Sequence, residues 1–165
     1  DLLVTDAAFG EANVQHAATH DRVADWRAGM APDAVSVVSG FIGRSTDGQV
    51  TTLGFEGSDY SAALFARLLE ARCLTRYTDV DALYSDDPST HADAERLDTV
   101  PMDAAFALTE SGRLGMHPKT LRPLVEAGIP MQVRSIETPD APGTRILPAG
   151  VSEASLIPGV ASAPA

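Results

Sequence analysis

Three stretches set down side chains whose types and spacing could do chemistry. The first is Leu53-Gly54-Phe55-Glu56-Gly57-Ser58-Asp59-Tyr60-Ser61-Ala62. Its glycines allow a ligand close to the backbone, and a helix opening just after them offers its first amides, at the positive end of its dipole, to an anion. Asp59 could hold an ammonium group there. The same residues also make an ordinary glycine turn with a Ser/Asp cap. The second stretch runs from Tyr77 to Pro88, with Asp79, Asp81, Asp86 and Asp87 crowded together. Such crowding is unfavourable unless the carboxylates face water, a cation or a ligand's hydroxyls, and a solvated acidic loop satisfies that condition without any ligand. The third, His117-Pro118-Lys119-Thr120, is by itself simply a helix start.

Metal and thiol chemistry have less to work with. His16 and His20 stand four residues apart, as two ligands on one helix face would, but no Glu follows the first in the zinc-protease manner. A solvated helix face accounts for them. Cys73 is the only cysteine, so an intramolecular disulfide is excluded. Between Arg72 and Leu74 it reads as a small buried hydrophobe at the start of a strand.

The elements that must position these residues alternate between strand and helix. Short apolar runs at Leu2 to Thr5, Cys73 to Tyr77, Met131 to Ile136 and Thr144 to Leu147 predict strands. Val35 to Ile42 is continuous and β-branched, as in a strand buried on both faces of a parallel sheet. Asp47-Gly48 marks a hairpin turn between Arg44-Ser45 and Val50-Thr51-Thr52. Helices are predicted over Ala17 to Met30, where Val23 and Trp26 recur at i, i+3, and over Ser58 to Arg72, with Ala62, Leu64, Phe65, Leu68 and Leu69 as its apolar stripe. Two more follow, Met102 to Thr109 and Pro118 to Ala127, the latter with Pro in its first turn and Gly128 after its end. Thr78 to Pro88 reads as turn-rich. This alternation means a three-layer α/β arrangement with a mainly parallel sheet. Residues 148–165 are rich in Pro, Ala and Ser and are expected to be linker.

The 165 residues fit one ordinary domain, since domains commonly hold about 100 to 200. Eleven Arg and the single Lys119 oppose 23 acids, for a net charge of -11. That balance argues against nucleic acid and anionic membrane as partners, because both need a basic face. No run approaches a membrane span, and acids rather than a basic region lie between Asp1 and Asp6. A cytoplasmic protein is expected. The abrupt apolar start at Leu2 suggests a cut rather than a natural beginning.

Taken in order, the stretches resemble the aspartate kinases of the amino acid kinase family. The matching residues are Val38-Ser39-Gly40-Phe41-Ile42-Gly43, Thr51-Thr52-Leu53-Gly54, Gly57-Ser58-Asp59-Tyr60-Ser61-Ala62-Ala63 and Tyr77-Thr78-Asp79-Val80-Asp81. Tyr84, Asp87-Pro88, Met116-His117-Pro118-Lys119-Thr120, Ala127-Gly128-Ile129-Pro130 and Ala141-Pro142-Gly143-Thr144 continue the series. The resemblance covers residues 1–147 and implies the carbamate kinase-like α/β/α fold, incomplete at the N-terminus. It implies ATP-dependent phosphorylation of the L-aspartate side-chain carboxylate, on the route to lysine, threonine and methionine, with Mg2+ accompanying ATP. Gly57, Ser58 and Asp59 would bind aspartate, Asp59 meeting its amine or organising catalytic cations. Thr78, Asp79 and Tyr84 would line the nucleotide pocket, Tyr84 near the adenine. Homo-oligomerisation would come through the full-length protein.

The departures from the family pattern concern charge. The family begins with a Lys-Phe-Gly-Gly-Thr-Ser type loop that does not occur here, so the chain reads as the C-terminal, nucleotide-side part of a catalytic domain and is not expected to be an active kinase alone. Phe55 stands where the family places an Arg that pairs with a substrate carboxylate, and Glu56 follows it. Ser89 replaces the Arg of Asp-Pro-Arg, and Leu114 replaces a nucleotide-site Lys, with Arg113 one residue earlier. Phosphate charge must be offset by something. Weakened or lost kinase activity is therefore expected, and the alternative is a degenerate module with a structural or regulatory role in a longer, possibly bifunctional protein.

Overall fold

A computed structural model of the chain describes residues 1–151 except Asp87, Arg113 and Gly115. Asp87 of the acidic stretch, the neighbouring cation Arg113, and 152–165 of the expected linker therefore lie outside the described residues. The chain divides into two compact units, one of Asp1–Leu69 and one beginning at Glu70.

In the first unit, β1 (Val4–Thr5) runs parallel to β2 (Ile42–Ser45), and β2 pairs antiparallel with β3 (Val50–Thr52). The hairpin turns at Asp47-Gly48 as expected, with Gly48 at φ 87. Two helices complete the unit, α1 (His16–Ala28) and α2 (Gly57–Leu68). Because β1 is short, side chains tie it in: the Thr19 hydroxyl of α1 accepts from the Val4 amide at 3.0 Å, and the Thr5 and Thr51 hydroxyls meet at 2.6 Å. Leu3, Leu53 and Leu64 form a core cluster, flanked by Val14, Tyr60 and Phe65. Full burial of each such leucine contributes about 1.5–3 kcal/mol.

The second unit is built on a four-stranded sheet. Its strands are β4 (Leu74–Thr78), β7 (Thr99–Pro101), β8 (Met131–Ser135) and β9 (Thr144–Leu147), in the order β4-β8-β9-β7. β4 and β8 are parallel from Leu74 opposite Met131 to Thr78 opposite Ser135, and β7 and β9 are parallel as well. The β8–β9 pairing is antiparallel, since only the short segment between Ile136 and Gly143 joins them. β5 (Leu83–Tyr84) and β6 (Arg96–Leu97) form a separate antiparallel pair. Helix α3 (Met102–Glu110) packs on β7 and β9, and α4 (Pro118–Ala127) packs on α3. The α4 boundaries follow from its caps. The His117 ring accepts from the Lys119 amide, Pro118 needs no donor in the first turn, and Gly128 closes the helix in the left-handed conformation. Among the described residues, no helix is long and apolar enough to cross a membrane.

Four local expectations are corrected. The run from Val35 was read as a buried strand, yet Val35 and Val37 are 94% and 98% exposed and the strand starts only at Ile42. Phe41 adopts a left-handed φ of 71°, which breaks the extended path before Ile42. Ser58 and Asp59 do not cap α2 from outside; Glu56 holds the cap position at φ 52°, and both residues lie inside the first turn. The turn-rich segment after Thr78 contains β5, whose partner β6 is too short to show a period in the sequence. Cys73 is half-buried and precedes β4 rather than sitting buried within it. Desolvation pushes its thiol pKa up, against the opposing effects of Thr75 and Arg134, so little thiolate forms near neutrality.

Candidate functional site

The candidate residues fall into two groups, one in each unit. In the first, the chain leaves β3 through Leu53, whose amide donates to the Phe41 carbonyl at 3.0 Å, and bends so that the Gly57 amide donates to the Gly54 carbonyl at 3.0 Å. The bend is then fixed by contact. A Cβ on Gly57 would stand 2.8 Å from both Leu53 Cβ and the Phe41 ring, so only glycine fits without a shift. The result is a first helical turn with Gly57 buried, Asp59 half-buried and Ser58 exposed. Gly57, Ser58 and Asp59 are thus brought together at the positive end of the α2 dipole, where a hydroxyl, backbone amides and a carboxylate can meet a zwitterion.

The second group flanks the turn between β4 and β5. Thr78 ends β4, and its hydroxyl donates to Asp79 Oδ1 at 3.0 Å. Tyr84 lies on β5, and its phenol donates to both Asp81 oxygens, at 3.1 and 3.3 Å. That bond to a carboxylate pushes the Tyr84 pKa above its ordinary value, with desolvation and the Asp81 charge adding to it and Arg96 opposing. The Arg96 guanidinium lies 3.8 Å from Asp81 and also pairs with Asp98. The turn is anchored below by Thr144, whose hydroxyl accepts from the Leu83 amide at 2.7 Å and donates to the Leu97 carbonyl at 2.5 Å. Thr78 with Asp79, and Tyr84 with Asp81, thus form two local hydrogen-bonded pairs on either side of this acidic turn, and their hydroxyls and carboxylates are groups that can meet a ligand's hydroxyls and ring nitrogens.

The three positions where the family pattern places cations have different surroundings. Phe55 is 76% exposed beside the α2 turn, and Ser89 is exposed. Leu114 is only 5% exposed and belongs to the apolar interior of the second unit, as does Met116. In the His-Pro-Lys-Thr stretch, Thr120 is fully buried and its hydroxyl finds no hydrogen-bond partner among the described residues. His16 and His20 are exposed on α1, and His20 lies 3.2 Å from Asp21. Among the described residues, no group of three or more His, Cys, Asp or Glu side chains is arranged to hold a metal ion.

Sequence reasoning assigned no role to Arg96, Ser61 or Phe41. For Arg96 the signal was its place between Glu95 and Asp98 in an otherwise acidic stretch. Ser61 and Phe41 lie within the matched motifs, but only folding shows that they touch.

An α/β chain with these two loops at strand ends matches the model of the amino acid kinase family over residues 1–135. The chain belongs to that family. Lysine-sensitive aspartokinase 3 of Escherichia coli is 36% identical over 145 residues, 88% of this chain and 32% of that protein. Bifunctional aspartokinase/homoserine dehydrogenase 2 of Arabidopsis thaliana is 33% identical over 88% of this chain and 16% of its own length. The crystal structure of E. coli aspartokinase III in complex with aspartate and ADP superposes with a TM-score of 0.83 at 34% identity, covering 92% of this chain and 34% of that one. This is an aspartokinase-like amino acid kinase domain that spans about a third or less of the length of these relatives.

Proposed function

We propose that the chain is the nucleotide-side part of an aspartate kinase catalytic domain, which phosphorylates the side-chain carboxylate of L-aspartate with ATP. The observation that carries this reading is the α2 turn, where Gly57, Ser58 and Asp59 stand together at a helix N-terminus. The chain's relatives include a protein crystallised with aspartate and ADP, which supports an amino-acid ligand at such a turn. The substrate carboxylate is ionised at neutral pH, so no general base is required. One of its oxygens attacks the γ-phosphorus, the bond to the bridging oxygen breaks, and ADP leaves with the electron pair. The protein's task is alignment and charge neutralisation. Asp59 would meet the substrate ammonium or a cation, while Thr78, Asp79 and Tyr84 would receive the nucleoside. Magnesium takes oxygen donors, mostly phosphate and water with one or two carboxylates, and Asp59 is a carboxylate of the right kind. Asp59→Ala in a complete domain containing this chain should abolish acyl phosphate formation and weaken L-aspartate binding by calorimetry. A wild-type domain that binds neither aspartate nor Mg-ATP would sink the proposal.

Leu114 and Phe55 favour a second reading, in which the domain is retained for a structural or regulatory role. An exposed ring and a buried leucine occupy positions that the family pattern gives to Arg and Lys. Ordinary kinase turnover by the complete protein would exclude this alternative.

A further inference from the structure

One buried hydroxyl joins the α2 turn to a strained bend elsewhere in the chain. Ser61 is fully buried. Its Oγ accepts from the Phe41 amide at 3.1 Å and donates to the Ser58 carbonyl at 2.8 Å. The second bond is one that helical serines commonly make to their own preceding turn. The first crosses 20 residues of sequence and lands on a non-glycine residue at φ 71°. Such a conformation persists only where its surroundings over-determine it. Here they do so from both sides. A Cβ on Gly40 would stand 3.1 Å from Ser61 Oγ and 3.2 Å from Ser58 Cα, while the Phe41 ring lies directly against Gly57. The hydroxyl is therefore a polar link in a contact whose close approach depends on the absence of side chains at Gly40 and Gly57.

We propose that Ser61 is a positioning residue, which sets the Gly40-Phe41 bend against the first turn of α2 and so holds Gly57, Ser58 and Asp59 in binding geometry. The inference rests on the reading of those three residues as an aspartate-binding turn. Ser61 touches no substrate in this account. It acts through backbone groups at both ends, the Phe41 N–H and the Ser58 C=O.

Amide exchange and L-aspartate titration followed by 1H–15N NMR on the 165-residue chain test this. In Ser61→Ala, the Phe41 amide is expected to exchange about tenfold faster while Leu64 and Ala66 in the same helix keep their rates, and the apparent Kd for L-aspartate should rise about tenfold. A merely structural role would speed exchange along the whole of α2 instead. Gly40→Ala crowds the same hydroxyl from the opposite side and is expected to act alike, which covers the case in which Ser61→Ala does not fold. Unchanged Phe41 exchange in a folded variant overturns the proposal, and so does faster exchange with an unchanged Kd. If the wild-type chain shows no response to aspartate, the aspartate reading fails. Ser61 is then judged on Phe41 exchange and on whether the Ser58 and Asp59 amide resonances move in the variants.

Discussion

The turn that opens α2 and the turn that joins β4 to β5 hold the two groups of candidate residues by different means. At α2 the side chains are placed by contact: Gly57 sits under Phe41 and Leu53, Glu56 and Phe41 take left-handed backbone, and the Ser61 hydroxyl is buried. At β4–β5 they are placed by exposed polar groups, with Thr78 on Asp79, Tyr84 on Asp81, and Arg96 between Asp81 and Asp98. Exposed ion pairs contribute about 0–1 kcal/mol each and are screened by salt, whereas close packing is insensitive to salt and unforgiving of added volume. The difference teaches that depth, rather than charge or hydrogen-bond count, decides which candidate residue can be changed without harm to the fold.

The strongest test of that view is to restore the family cations at one exposed and one buried position. Leu114→Lys places an ammonium in the interior of the second unit and should lower stability by about 3 kcal/mol in urea unfolding. Phe55→Arg should stay within about 0.5 kcal/mol of the wild type, because the ring is solvent-exposed. Calorimetry should also show tighter L-aspartate binding for Phe55→Arg, since a guanidinium would replace a ring near a carboxylate ligand. Equal stability losses in the two variants would break the comparison.

Next in size, Gly57→Ala should cost about 1–3 kcal/mol by the same measurement, as the new methyl group must displace Phe41 or Leu53. The loss should be the same at low and high salt.

The smallest effect belongs to the second turn. Tyr84 holds its proton more tightly folded than unfolded, so its contribution to stability is complete below the ordinary phenol pKa of 10.0 and fades as pH rises through the raised value. Asp81→Asn should bring the Tyr84 ring titration, followed by NMR, back toward the ordinary value and flatten the alkaline end of the stability profile. No resolvable change is expected at pH 7. An unaltered titration would remove Asp81 as the cause.

Much of this was legible in the residues, for reasons that differ by element. Helix α4 shows both ends in sequence, Pro118 at one and Gly128 at the other, and the structure places them there. The hairpin at Asp47-Gly48 is equally local. The valine run from Val35 was misread because β-branched composition reports propensity without reporting a partner, and none of its residues before Ile42 enters a strand here. Similarly, Glu56 carries no mark of its left-handed cap, which depends on Gly57 lying under Phe41. The candidate-site residues are named through the family resemblance, because their spacing alone is equally that of a capped glycine turn and a solvated acidic loop. That Ser61 supports them required the fold, since its partner amide is far away in the chain.

The exposed valines also bear on how the chain behaves at high concentration. Val37 and Val38 share a groove of about 380 Å³ with Trp26, Ile42 and Phe65 and with the polar Asp1, Ser36 and Ser39, while Val35 and Val37 stand almost fully in solvent. A net charge of -11 keeps like molecules apart in dilute buffer. Adding salt removes that repulsion and strengthens apolar association together, so this polypeptide is one to purify in low ionic strength and to precipitate with sulfate.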